Sequence, residues 1–208
     1  MELLASDILG EQLIARHILK RIFESRKLTE PTSHPLYTYH ITLEEYQDLK
    51  RTLRYSQQDQ KSHKPGREWC AVFTLFVSEW FRREYKSGWS WGPVYDALGF
   101  QPLHDIRYVV QHGLEGFWKR PILKFEGSNH TNYLGSVFKE GGFPSNLLME
   151  KGNHYQTVFK RIVAQFSHYR HYNPEIHDQL IQAYTQYLPQ AFKEHETRVL
   201  ISDMAEHL

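Results

Sequence analysis

The sequence predicts an all-α protein, an irregular multi-helix bundle built around one central apolar helix at 67–86. Three observations lead there. Apolar residues recur at helical spacing through most segments, with Gly and Pro punctuating between them. The stretch 67–86 is apolar nearly all round, as a helix buried inside a core must be. Only 36–41 (Leu-Tyr-Thr-Tyr-His-Ile) alternates like a strand, and one strand cannot make a sheet.

In order along the chain, Leu4, Ile8, Ile14, Ile18 and Ile22 define an amphipathic first helix within 1–30, an N-terminal arm weakened by Gly10. The segment from Glu30 to Pro35 ends it, and a short strand fits 36–41. Thr42-Leu43-Glu44-Glu45 is a capping box that opens a helix to about Tyr55. The polar stretch 56–66 is expected to be a mobile surface loop. The central helix sets Trp69, Val72, Phe73, Phe76, Val77 and Trp80 on one face, and Glu79 and Arg83 are spaced to pair on its flank.

Ser90 is placed to cap a short helix through Leu98, with Pro93 in its first turn and Gly99 at its end. A helix over 105–118 carries Ile106, Val109, Val110, Leu114 and Phe117, and Pro121 stops it. Another spans about 133–140, before Gly141-Gly142. A short helix after Ser145, an amphipathic helix over 155–169, a further one over 175–188 and a helical tail complete the chain. All of 1–208 is read as a single mostly helical domain.

With 40% hydrophobic and 24% charged residues, the composition is that of a soluble globular protein. The aromatic share is 14%, with 13 tyrosines, which suits a core whose edges reach solvent or a contact surface. A formal charge of +1 supplies no global pull toward nucleic acid or membrane, so any such pull must be local. The single cysteine, Cys70, rules out an internal disulfide and a multi-cysteine zinc site. No secretory signal and no span-length apolar run is visible, so the chain is expected in the cytoplasm, without a membrane partner.

No motif discloses a reaction. His168, His171 and His177 are closely spaced but lack converging acids, so no metal and no cofactor is expected. There is no nucleophile elbow and no phosphate-cradling glycine loop. Glu115 and Glu140 are carboxylates that folding could pair, as it could in any acid-bearing chain. A more specific feature is the clustering of cations with tryptophans. Arg82, Arg83 and Lys86 precede Trp89 and Trp91, while Lys119 and Arg120 follow Trp118. Guanidinium and ammonium groups hold phosphates, and exposed rings stack on unpaired bases. Arg82, Arg83, Lys86, Trp89, Lys119 and Arg120 are therefore the candidate binding residues. The competing outcome is that the arginines are locked to Glu79, Glu84 or another acid.

Leu36-Tyr37-Thr38-Tyr39, the run from Ser78 to Tyr85, Trp89-Ser90-Trp91-Gly92-Pro93, Phe117-Trp118-Lys119-Arg120-Pro121 and the run from Asn132 to Gly142 form a distinctive set. The chain resembles, over about 36–148, the N-terminal region of large bacterial proteins encoded in defence islands. These are associated with Druantia-type anti-phage systems, beside a large helicase-like protein. Those proteins are several times longer, so the resemblance fits a stand-alone version, a separately encoded subunit or a truncated remnant. The chain is read as a non-catalytic interaction module of a bacterial complex with a protein partner, and the resemblance implies a defence assembly in which it contacts DNA or RNA. The alternative is an enzyme, a nuclease accessory or a metal-dependent hydrolase, whose site assembles only in the fold.

Overall fold

A computed structural model of the chain describes residues 2–32, 34–56, 64–86, 90–103, 105–125, 128–142 and 144–145, with side chains of the first helix from Leu13 onward. The helices expected at 155–169 and 175–188, the histidines at 168, 171 and 177, and Trp89 lie outside these residues.

The described residues form an all-α bundle: α1 (Glu2–Ser25), α2 (Leu43–Ser56), α3 (Arg67–Glu84), α4 (Gly92–Leu98), α5 (Ile106–Gln111) and α6 (Tyr133–Gly141). A 3-10 turn covers Leu36–Tyr39, and a π-helical segment, His112–Trp118, continues α5. The β structure among these residues is an isolated bridge between Lys124 and Thr131.

α3 is the axis. Every residue from Trp69 to Phe81 is buried, and α1, α2, α5, α6 and the π segment all pack against it. Trp69, Phe73, Phe76 and Trp80 lie in the core as their spacing predicts. Phe76 stacks on Tyr46 of α2 at 5.2 Å, and Phe81 stacks on Phe138 of α6 at 4.2 Å. Cys70 is fully buried, and burial pushes its thiol up to about 12, which makes it inert.

Two glycines let neighbours approach α3 more closely than any side chain would allow. A Cβ at Gly113 would sit 2.5 Å from the Cys70 carbonyl oxygen, and one at Gly141 would run into the Ser78 carbonyl. The first of these contacts draws the π segment against α3. Trp118, at its end, donates from Nε1 to the Ala71 carbonyl at 3.1 Å and to Thr74 Oγ1 at 3.2 Å.

The capping box at the start of α2 forms in both directions. The Thr42 amide donates to Glu45 at 2.8 Å, and the Glu45 amide donates to Thr42 Oγ1 at 3.2 Å.

Three sequence expectations change. The 36–41 stretch is a 3-10 turn followed by a residue in the left-handed region, His40 at φ 49°, and not a strand. The Pro35 carbonyl accepts from both the amide and the hydroxyl of Thr38, and that local bonding curls the segment. The 105–118 helix is α only to Gln111 and π beyond it. Ser90 does not cap α4: its N-cap is Trp91, without a side-chain bond. The end of α4 at Gly99, with φ 70°, is as expected.

Candidate functional site

The cationic corner at the end of α3 is organised from within. Arg82 donates to Glu79 through Nη2 at 2.6 Å and Nε at 3.2 Å, and Arg83 Nε donates to the same carboxylate at 2.9 Å. Glu79 has no exposed surface, whereas the two arginine side chains keep about a quarter of theirs. Spacings of three and four residues bring both guanidiniums over one carboxylate. Arg83 reaches further, donating to the Ile41 carbonyl and lying 5.5 Å over the Tyr46 ring. Tyr46 donates its phenol proton to Glu84 at 2.5 Å, and burial together with that acid raises its pKa well above the ordinary tyrosine value.

Arg120 belongs to a second centre. Its Nε lies 2.9 Å from both oxygens of Glu140, a carboxylate only 1% exposed, which also accepts from the Leu36 amide at 3.0 Å. Burial pushes the Glu140 carboxyl upward, while Arg120 pulls the other way. The centre ties α6, the segment after the π helix and the 3-10 turn together. Of the predicted binding residues, Arg82, Arg83 and Arg120 are thus engaged by internal carboxylates. Lys86 and Lys119 are exposed.

Glu115 and Glu140 sit in unlike settings. Glu115 is exposed and accepts from Gln111 at 3.1 Å, whereas Glu140 is buried against Arg120. Among the described residues, no three of His, Cys, Asp and Glu come together where a metal ion could sit.

A groove of about 400 Å³ opens between α1 and the π segment. Leu19, Phe23, Leu28 and Phe117 make its floor. Its rim carries the ion pairs Arg16–Glu68 at 3.0 Å and Lys20–Glu24 at 3.7 Å. Phe23 and Phe117 stack at 6.2 Å, with Arg67 lying 5.8 Å over the Phe117 ring. No linear motif marks this groove, because its walls come from segments some ninety residues apart in sequence. The stripe of Leu4, Ile8, Ile14, Ile18 and Ile22 read in the first helix does not include Leu19 and Phe23, the residues of that helix on the groove floor.

What these features define is an all-α domain built on a buried helix, with its interior carboxylates spent on structural ion pairs. Residues 11–143 match the YjiT N-terminal domain and residues 150–208 match the YjiT second domain. The chain belongs to the YjiT family. It is 37% identical over 195 residues to Protein YjiT of Escherichia coli (strain K12), which covers 91% of this chain and 37% of that protein. The chain therefore spans little more than a third of the length of that relative. No solved structure matches it. The helical bundle described above falls almost wholly within the first matched region.

Proposed function

We propose that the chain is a non-catalytic interaction module that seats a protein partner in a bacterial complex. The observation that carries this reading is the groove between α1 and the π segment: an apolar floor of Leu19, Phe23, Leu28 and Phe117 under a rim bearing both signs of charge. Such a surface fits an apolar side chain of a partner, flanked by polar residues that can exchange with the rim pairs. The interior acids support it further, since Glu79 and Glu140 each face arginines that hold the fold together. The likeness to Druantia-associated proteins suggests the setting, a defence assembly that handles nucleic acid.

The test is affinity purification of the tagged chain at native expression, in wild type and in a Leu28→Glu variant. Leu28 is only partly buried, so the charge enters the groove without entering the core. A protein that accompanies the wild type and is lost with Leu28→Glu supports the reading. An unchanged set of companions, or turnover of a substrate by the purified chain, overturns it.

A further inference from the structure

We propose that the face formed by the start of α3 and the π segment binds single-stranded nucleic acid, with Lys64, Arg67 and Lys119 on phosphates and the Tyr108–His112 pair as a stacking platform. The inference rests on the reading of the chain as an interaction module, and it places the nucleic-acid contact at the opposite end of α3 from the corner that the sequence suggests.

The cations of this domain are unevenly engaged. Arg82, Arg83 and Arg120 are committed to buried carboxylates. Among the described residues, the side chains of Lys64 and Arg67 form no ion pair or hydrogen bond, and each lies over a ring instead. Lys64 Nζ is 4.8 Å from the centre of Tyr108, and the Arg67 guanidinium is 5.8 Å from that of Phe117. Lys119 Nζ donates only to the Gly116 carbonyl, at 2.8 Å.

Of the acids nearest these cations, Glu68 is paired with a cation, while Glu115 and Asp105 accept only from neutral donors and keep their charge. Glu68 takes Arg16 at 3.0 Å, Glu115 takes Gln111 at 3.1 Å, and Asp105 caps the Tyr108 amide at 3.2 Å. With Arg16–Glu68 counted as a neutral pair, Lys64, Arg67 and Lys119 stand against Glu115 and Asp105, which leaves the face a small positive excess in a chain whose overall charge is nearly zero.

The rings supply the second half. Tyr108 and His112 stack with centres 3.7 Å apart. His112 Nδ1 is 3.0 Å from the Tyr108 carbonyl, so its other ring nitrogen remains for a ligand. Gly116 forms the floor between the two cationic flanks, since the nearest atoms to a Cβ placed there are His112 Cβ at 3.9 Å and the Arg67 stem at 4.0 Å. The cluster Lys64–Tyr108–His112–Gly116–Arg67 is thus continuous.

The π geometry is what sets it out. π turns are uncommon and often mark functional surfaces, and this one is fixed by the Gly113 contact with Cys70 and by Trp118. A lysine above a half-buried ring such as Tyr108 can swing to a phosphate as a base takes its place. Cations interleaved with rings suit a single strand better than a duplex, whose bases are already stacked. An acidic peptide would use the cations but not the rings.

The test uses the full chain and fluorescence polarisation of labelled oligothymidine and oligouridine at low salt. Binding is expected in the micromolar range, weakening as salt rises. Lys64→Ala/Arg67→Ala should lower affinity about tenfold or more and reduce the salt slope by roughly 1.4, two phosphates at about 0.7 each. Gly116→Glu, whose side chain has room, should weaken binding to a similar degree with an unchanged melting temperature. Tyr108→Leu should weaken binding while leaving the salt slope in place. Leu28→Glu should bind as the wild type does, which separates this face from the groove.

No polarisation change at micromolar protein overturns the proposal, as does binding indifferent to Lys64→Ala/Arg67→Ala. Competition by polyglutamate as effective as by oligonucleotide would assign the face to an acidic protein and also overturn it. Equal affinity for duplex DNA would overturn it too, since the stacking platform would then play no part. Absence of oligonucleotide binding in the wild type, with its Leu28-dependent protein partner retained, would sink this proposal alone.

Discussion

Glu79 and Arg82 form an ion pair at 2.6 Å in which the acid's side chain is wholly buried and the arginine side chain is more than a quarter exposed. Arg83 closes the same carboxylate from the next position at 2.9 Å. One acid with two bases leaves the site net positive, yet each guanidinium is oriented inward by the charge it covers. Removing the acid leaves two half-buried cations facing each other without their counter-charge. Breaking a buried pair from one side typically costs ~3–5 kcal/mol.

Glu79→Gln is therefore expected to lower unfolding stability by several kcal/mol, with Arg82→Ala/Arg83→Ala at least as damaging, because it strands the carboxylate. Urea denaturation followed by tryptophan fluorescence measures both. A double mutant that keeps the wild-type midpoint would show that these arginines are surface groups after all.

The Phe76 ring is fully buried and stacks against Tyr46, with an interplanar angle of 3°. Phe76→Ala should cost about 3–5 kcal/mol through lost transfer energy and the cavity left behind. For a domain of ordinary marginal stability that is a large fraction of the total. Calorimetry showing an unmoved melting transition would contradict the buried-helix account of α3.

Close backbone approach makes a different prediction at Gly113. An added methyl would meet the Cys70 carbonyl at 2.5 Å and Thr74 at 2.6 Å, neither of which is the far end of a flexible chain. Gly113→Ala should therefore force the π segment away from α3, at a cost of about 1–3 kcal/mol or more. Gly116→Ala, three residues on and with only ordinary contacts at 3.9 Å and beyond, should be tolerated. Similar melting temperatures for the two variants would mean that the π segment is not held by this contact.

Parts of this arrangement were visible in the sequence because they depend on neighbours along the chain. The burial of Trp69, Phe73, Phe76 and Trp80 follows from helical spacing, the Thr42–Glu45 box from a four-residue pattern, and the Glu79–Arg83 pairing from one helical turn. That Glu79 is buried instead of lying on a flank did not follow, since the covering surfaces belong to other segments. Arg120 and Glu140 are twenty residues apart, and nothing local links them. The 36–41 stretch misled because its alternation is real, but Arg26 takes the carbonyls of Tyr39 and His40, and Thr32 donates to the Tyr39 phenol oxygen. Those bonds fix a turn that periodicity cannot see. The Lys64, Arg67 and Tyr108 cluster was hidden for the same reason, as its members come from segments some forty residues apart.

The junction of α1, the 3-10 turn and α2 is expected to make the chain sensitive to acid. Arg26 donates to both oxygens of Glu45, at 2.5 and 2.7 Å, and to the Tyr39 carbonyl at 2.6 Å. Burial pushes the Glu45 carboxyl up, but Arg26 and the Thr42 amide outweigh it and hold the group below its usual range. Asp48 is held low chiefly by its bond to Arg21, with Arg51 adding to it.

For both acids the folded pKa lies below the unfolded one. In the intervening pH range the unfolded chain binds more protons, so stability rises with pH there. Their contribution is complete above the ordinary carboxylate pKa of about 4 and is lost as pH falls through the depressed values. Denaturation midpoints measured from neutral pH down to about pH 3 should therefore decline steeply in the wild type. Glu45→Gln and Asp48→Asn should start lower at neutral pH and decline less, and the double variant least of all. Parallel acid limbs in wild type and Glu45→Gln would place the acid sensitivity elsewhere, and would mean that the Arg26 hub holds its three segments through carbonyl bonds alone.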